Sequence, residues 1–348
     1  MHGEYKVPGG KLVVVDLDEV DGRLSGVRLS GDFFLEPDDL LERIDAALEG
    51  APAGLDIEAL AARVRAALPA DATLLGLTPE AVGVVVRRAL AQASEWRDHR
   101  FSLIHRAPEA PALHMALDQV LAEEVAAGRR GPLLRVWEWA SPAVIIGSFQ
   151  SLSNEVDLDA ARARGVAVMR RISGGGAMFV EPGNTITWSL VVPESLVQGL
   201  SLVDSYAFLD DWVINALQEL GIEARYVPIN DIVSPAGKIA GAAQKRLRGA
   251  VLHHVTMAYD IDVDAMLAVL RIGKEKISDK GIKSSGKRVD PLKSQTGLPR
   301  DEIISRMSAS FAARAGLEPG ELTAAELERA ERLAREKFED PAWLARVP

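Results

Sequence analysis

Three consecutive glycines, Gly174-Gly175-Gly176, follow a strand-like run over residues 166–171. Glycine loses more backbone freedom on folding than any other residue, so such a run is costly unless the chain turns sharply or lies against a ligand. Regular structure cannot continue comfortably through it, and the segment predicts a loop between two elements. Arg170 and Arg171 stand just before the loop and supply donors suited to an anion such as phosphate. Taken alone, the segment reads equally well as a Gly-rich turn flanked by surface arginines. It matches neither a Walker A loop nor a G-x-G-x-x-G fingerprint.

Around this loop, hydrophobic periodicity divides the chain in two. Residues 1–95 read as strand (11–17), an Asp21-Gly22 hairpin turn, a second strand (24–34) and three helices (from Pro37 to Gly50, over 56–68 and over 79–95). That is a plausible α+β domain in its own right. The pattern restarts near 96–101. A helix is expected over 112–127, then strands over 133–139, 143–147, 166–171, 185–192 and 251–261. Helices over 157–164 and 205–220 each end at a glycine, Gly165 and Gly221. Residues 300–340 read as charged helix. The predicted organisation is a small α+β domain over 1–97 and a larger α+β domain over 98–348, with mixed sheets and flanking helices.

Charge narrows the function classes. The formal net charge is −10, which argues against nucleic acid as the main partner. The acidity is uneven: residues 1–100 carry a net −7, whereas 271–288 carry a net +5. A short basic strip on an acidic chain suits a polyphosphate or carboxylate ligand, although it also reads as a solvated lysine-rich face. Within the strip, Gly281-Ile282-Lys283-Ser284-Ser285-Gly286-Lys287-Arg288 nearly matches a P-loop but has Arg288 where the Mg²⁺-binding hydroxyl belongs. No apolar run approaches the roughly 20 residues needed to span a bilayer, and the start lacks a signal-peptide pattern, so a cytoplasmic protein is expected. Cysteine is absent, which removes disulfides, thiolate metal ligands and thiol nucleophiles together.

A second chemical segment is Asn230-Asp231-Ile232 followed by Gly237-Lys238-Ile239-Ala240-Gly241-Ala242. A lysine among small residues can reach a phosphate or carboxylate and stabilise charge developing there. Asp231 is a candidate for Mg²⁺ carried by a nucleotide. The bland reading is a surface lysine beside a loop. His253 and His254 follow on the next strand, where alternation sends the rings to opposite faces and at most one to a site. No H-E-x-x-H spacing supports zinc.

In this order, a series of motifs resembles the lipoate–protein ligases, within the wider group of biotin and lipoate ligases and octanoyltransferases. They begin with Trp139-Ala140-Ser141-Pro142 through Gly147-Ser148-Phe149-Gln150, then Arg170 through Phe179 and Gly183-Asn184. Asn230-Asp231-Ile232, Lys238-Ile239-Ala240-Gly241, Leu252-His253-His254 and Lys280-Gly281-Ile282-Lys283-Ser284 complete the series. The resemblance implies that lipoate and ATP form lipoyl-AMP, whose acyl group passes to a lysine of a lipoyl domain. Lys238 would be catalytic. Arg171, Gly176, Ala177, Met178, Phe179, Asn184, Asp231 and Lys238 would bind the nucleotide, with Asp231 holding Mg²⁺. Arg170, Ser173, Gly174, Gly175, Gly241, His254 and Lys238 would contact the lipoyl group. Lipoyl domains of 2-oxoacid dehydrogenase acyltransferase subunits and the glycine cleavage H protein are the implied acceptors, and a monomer is implied.

The first 97 residues resemble the accessory domain that such ligases usually carry at the C-terminus, so the arrangement looks circularly permuted. Two departures bear on substrate choice. Val180-Glu181 stands where the family often has His-Asp, and Val255 where it often has glycine. Val255 implies a narrower acyl tunnel or a differently bent strand. The rival within the same fold is an octanoyl- or lipoyl-transferase working through a thiol acyl-enzyme, for which this chain has no cysteine. A non-catalytic acyl- or adenylate-binding module is the rival outside enzymes.

Overall fold

A computed structural model describes residues 1–271 and 289–348. The chain forms two compact units: Met1–Asp98 together with Ser195–Asp211, and His99–Glu194 together with Trp212–Pro348. In the first, period-2 alternation produces an antiparallel sheet of β1 (His2–Lys6), β2 (Leu12–Val20) and β3 (Arg23–Gly31). Val13, Val15 and Leu17 point inward from β2, and Leu24, Val27 and Leu29 from β3. The turn between them has positive φ at both Asp21 and Gly22, as a tight hairpin with right-handed strand twist demands. The second predicted strand is shorter than expected: its end separates as β4 (Phe34–Glu36), which pairs with β5 (Thr73–Leu75).

Three helices cover the sheet unit. In α1 (Leu40–Leu48), Leu40, Ile44 and Leu48 form one buried stripe. The start of α2 (Ile57–Ala67) is capped by the Asp56 carboxylate, which accepts from the Ala59 N–H, and that of α3 (Pro79–Leu90) by Thr78. Arg88 on α3 is fully buried and explains why Ser195–Asp211 groups here. Its guanidinium donates to the carbonyls of Glu4, Leu196, Gln198 and Ser94 and pairs with Glu95 at 2.9 Å. No periodicity in the sequence announces that grouping.

The second unit is built on an eight-stranded sheet. Its strands are β6 (Phe101–His105), β7 (Leu133–Trp137), β11 (Thr185–Pro193), β12 (Arg225–Val227), β13 (Asp231–Val233), β14 (Lys238–Leu247), β15 (Ala250–Ala258) and β16 (Leu317–Pro319). The order across the sheet is β12-β13-β14-β15-β11-β7-β6-β16. A smaller sheet orders β10 (Met178–Val180), β8 (Ala143–Ile146) and β9 (Ala167–Arg170), with β8 central. Helix α4 (Pro111–Ala126) belongs to the main core with Leu117, Val120 and Leu121, which pack with Leu133, Val191 and Leu252. Register decides what meets in that core: Ser189 on β11 lies opposite Arg135 on β7 and His254 on β15.

Mixed sheets with flanking helices are the α+β architecture the sequence predicts. Several short strands went unforeseen, β1, β5, β6, β10, β12, β13 and β16 among them. β14 is rich in alanine and glycine, weak strand formers, and is held by pairing on both sides. β16 is a three-residue parallel strand ending in proline, inside a stretch otherwise read as helix. No helix among the described residues is long and apolar enough to cross a membrane. Apart from Arg271, the basic strip over 271–288 and its P-loop-like segment lie outside the described residues.

Arg88→Met should lower stability by about 3 kcal/mol in equilibrium denaturation, because it strands the Glu95 carboxylate and four carbonyls. A loss below about 1 kcal/mol would contradict the anchoring role.

Candidate functional site

β14 carries Lys238, β15 carries His254, and the glycine loop runs from β9 to β10, so three segments far apart in sequence meet. They enclose a cavity of about 240 Å³ lined by Arg171, Gly176 through Phe179, Lys238, Gly241 and His254. Of the positions singled out from sequence, Arg170, Ser173, Gly174, Gly175, Asn184 and Asp231 do not line it. Thr187 and Thr256 do, and sequence reasoning did not reach them. Strand alternation from His254 leads to Thr256, and register pairs Thr256 with Thr187.

The two adjacent arginines do different work. Arg170 is fully buried and turned away from the cavity. Its Nε donates to the Leu344 carbonyl, Nη2 to Val347, and Nη1 to Gly147, Ser148 and Gln150. The expected lipoyl contact is therefore replaced by backbone bracing. Arg171 folds back on its own loop. Its Nε donates to Ser173 Oγ at 3.0 Å and its Nη2 to the carbonyls of Gly174 and Gly176, while Nη1 reaches the Ile145 carbonyl.

That wrapping explains the glycines. Gly175 sits at φ +90°, and a Cβ there would stand 2.9 Å from Arg171 Nη2. A Cβ on Gly147 would meet the Gly175 carbonyl oxygen at 2.1 Å, so both positions need a residue without a side chain. Gly176 faces open space.

Lys238 Nζ pairs with Asp231 Oδ1 at 2.7 Å, and the lysine is partly exposed to the cavity. Gly241 leaves room for this ammonium: a Cβ at 241 would lie 2.9 Å from Nζ. Asp231 is thus the lysine's partner. Among the described residues no group of three histidines or carboxylates could hold a metal ion, so the Mg²⁺ expectation at Asp231 lacks a protein cage.

Behind the loop lies a buried polar chain. Ser173 Oγ is 2.7 Å from His254 Nε2, and His254 Nδ1 is 2.7 Å from Asp118 Oδ2. The other Asp118 oxygen accepts from Arg135 Nη2 at 2.8 Å and from the Ser189 hydroxyl, which itself accepts from the Trp137 indole N–H. Arg135 also donates Nη1–H to His114 Nδ1, and His114 Nε2 donates to the Glu138 carbonyl. Burial, with Arg135 alongside, pushes His114 down to about 3. Burial likewise depresses His254 against the pull of Asp118. For Asp118 burial alone acts upward, but Arg135 and His254 hold it below the usual carboxylate value.

Two further expectations change, those for Asn184 and Val255, while the opposite facing of His253 and His254 is as expected. Asn184 closes a turn: its side chain bonds the Glu181 backbone N–H and carboxylate, and its carbonyl accepts from Tyr259 and Asp260. It is not part of the cavity wall. Val255 is buried on the face of β15 opposite His254 and Thr256, so it does not narrow the cavity. His253 shares that opposite face and pairs with Gln244.

Residues 110–312 match the lipoyl protein ligase A/B catalytic domain. The chain belongs to this family. An octanoyltransferase LipM from Kyrpidia tusciae is 30% identical, the match covering 68% of this chain and 96% of that protein. A bi-partite lipoate protein ligase from Thermoplasma acidophilum, solved in a study that includes its E2 lipoyl domain, superposes with TM-score 0.62 at 29% identity. That match covers 72% of this chain and 97% of the other. Lipoate-protein ligase A bound with ATP gives TM-score 0.61 at 26% identity over 72% of this chain and 99% of that one. The lipoyl ligase fold accordingly accounts for the second unit's sheets, and the chain is an enzyme of the lipoate ligase and octanoyltransferase group.

Gly241→Ala should fold normally yet lower turnover about ten- to a hundredfold, since the added methyl displaces only the mobile end of Lys238. Unchanged kinetics with an unshifted lysine would rule out that steric link. Acid should weaken the fold below about pH 6.5. The unfolded chain protonates His114 and His254 there while the native state keeps both neutral, so each removes about 1.4 kcal/mol per pH unit until its lower native pKa is reached. Asp118, depressed in the fold, adds its own loss only below about pH 3.8. Denaturation of His114→Gln between pH 7 and 4.5 should show a shallower slope than wild type; an equal slope would contradict the assignment.

Proposed function

We propose that the protein is an ATP-dependent, AMP-forming lipoate–protein ligase. The observation carrying this reading is the convergence of Lys238 and the segment Gly176 through Phe179 on one cavity in a chain without a thiol. A lipoate carboxylate oxygen attacks the α-phosphorus of ATP, the α–β phosphoanhydride breaks, and lipoyl-AMP and pyrophosphate form. The ε-amine of an acceptor lysine then attacks the acyl carbon and AMP departs. Lys238 stabilises charge on the carboxylate and α-phosphate in both steps, with no covalent enzyme intermediate. The loop backbone approaches the adenylate where Gly176 through Phe179 line the cavity. Mg²⁺ carried by ATP would neutralise phosphate charge, with Asp231 as the candidate protein ligand.

The relatives supply support from outside the chain. One solved structural neighbour is a lipoate-protein ligase bound with ATP, and another was determined in work on a ligase and its E2 lipoyl domain. We extend that partner class, lipoyl domains of 2-oxoacid dehydrogenase acyltransferase subunits and glycine cleavage H protein, to this chain. The family match begins at residue 110, and the unit containing Met1–Asp98 fits an accessory domain placed N-terminally. The octanoyltransferase relative favours a second reading, transfer of an octanoyl group from a carrier without ATP. That route through an acyl-thioester needs a cysteine, and this chain has none.

Lipoate-dependent exchange of labelled pyrophosphate into ATP should be robust for the wild type and fall at least a hundredfold in Lys238→Ala. Octanoyl transfer to a lipoyl domain from an acyl carrier, with no ATP-dependent exchange, would establish the second reading instead.

A further inference from the structure

Ser173, His254 and Asp118 have the atomic spacing of a nucleophilic triad, 2.7 Å at each link. Two observations exclude that role in this arrangement. Ser173 is fully buried and absent from the cavity wall, and its oxygen already accepts from Arg171 Nε. We propose that the three residues form a relay of fixed hydrogen-bond polarity that sets the shape of the glycine loop, with Asp118 and His254 positioning Arg171 through Ser173. The catalytic part of its test rests on the ligase reading; the structural part does not.

The polarity follows from the donors available. An ionised carboxylate only accepts, so Asp118 obliges His254 to carry its proton on Nδ1. Nε2 is then bare and must accept, which turns the Ser173 hydroxyl hydrogen towards it. The serine lone pairs are left for the Arg171 Nε–H. With Nε fixed, the planar guanidinium delivers Nη2 to the carbonyls of Gly174 and Gly176 and Nη1 to Ile145. Arg135 completes the sequence at its origin by pairing with Asp118. A charge pair between α4 and β7 therefore specifies, through four hydrogen bonds, the loop from which Gly176 through Phe179 line the cavity. Because a bare Nε2 is essential, removing either the serine hydroxyl or the imidazole acceptor breaks the same connection.

The experiment compares Ser173→Ala, His254→Asn and the double variant with the full-length wild type. Amide hydrogen exchange over residues 171–180 should quicken about tenfold in each single variant and no further in the double, because both cut one relay. Pyrophosphate exchange should show kcat/KM for ATP reduced about ten- to a hundredfold in each single variant, again without addition in the double. Unchanged loop exchange in Ser173→Ala overturns the proposal, as do additive effects in the double variant. An acyl group found on Ser173 by mass spectrometry of substrate-treated wild type overturns it as well, in favour of a nucleophile. Wild type lacking pyrophosphate exchange, but with the predicted loop exchange in the variants, upholds the relay and removes the ligase reading.

Discussion

The grip of Arg171 on its own loop is the interaction on which the site's geometry depends. A run of three glycines has no preferred path and a large entropic cost of ordering. One planar guanidinium, bonded to Ser173, Gly174, Gly176 and Ile145, removes that freedom by tying carbonyls of the loop and of β8 to one rigid group. The residue that looked from sequence like a phosphate hook is first a loop organiser. Its place in the cavity wall is compatible with both tasks, since the loop's outer edge and the guanidinium share one surface.

Much of the architecture was legible because alternation and capping are local signals. Leu12–Val20, Thr185–Pro193 and the capped helices α2 and α3 follow from the chain's own pattern. The convergence of Lys238 and the glycine loop was readable only from the order of motifs, since no periodicity connects residues more than 60 positions apart. What escaped was decided by direction and by long-range pairing. Arg170 and Arg171 are chemically identical neighbours, and only the folded strand shows that one faces the Leu344 and Val347 carbonyls while the other faces the loop. Val255 was judged by its place in a motif, whereas strand alternation places it behind His254. Asp118 and Arg135 carry no motif at all, and acquire meaning through the register that sets Ser189 opposite both Arg135 and His254.

The pairing of Lys238 with Asp231 gives the site a resting state. An ammonium waiting alone in a partly closed cavity would be costly to desolvate, and a neighbouring carboxylate offsets that cost. In the ligase reading an arriving phosphate or carboxylate competes with Asp231 for the lysine, so binding selects ligands able to displace an existing partner. Gly241 keeps the space in which that exchange takes place.

The bracing of Arg170 has a temporal side. Two of its carbonyl partners, Leu344 and Val347, lie 174 and 177 positions further along the chain. Contacts of such separation form late, because a long loop must close before they are rewarded. On the ribosome, the glycine loop and its strands therefore emerge well before the segment that locks their rear. The nascent site is complete in sequence long before it is complete in shape.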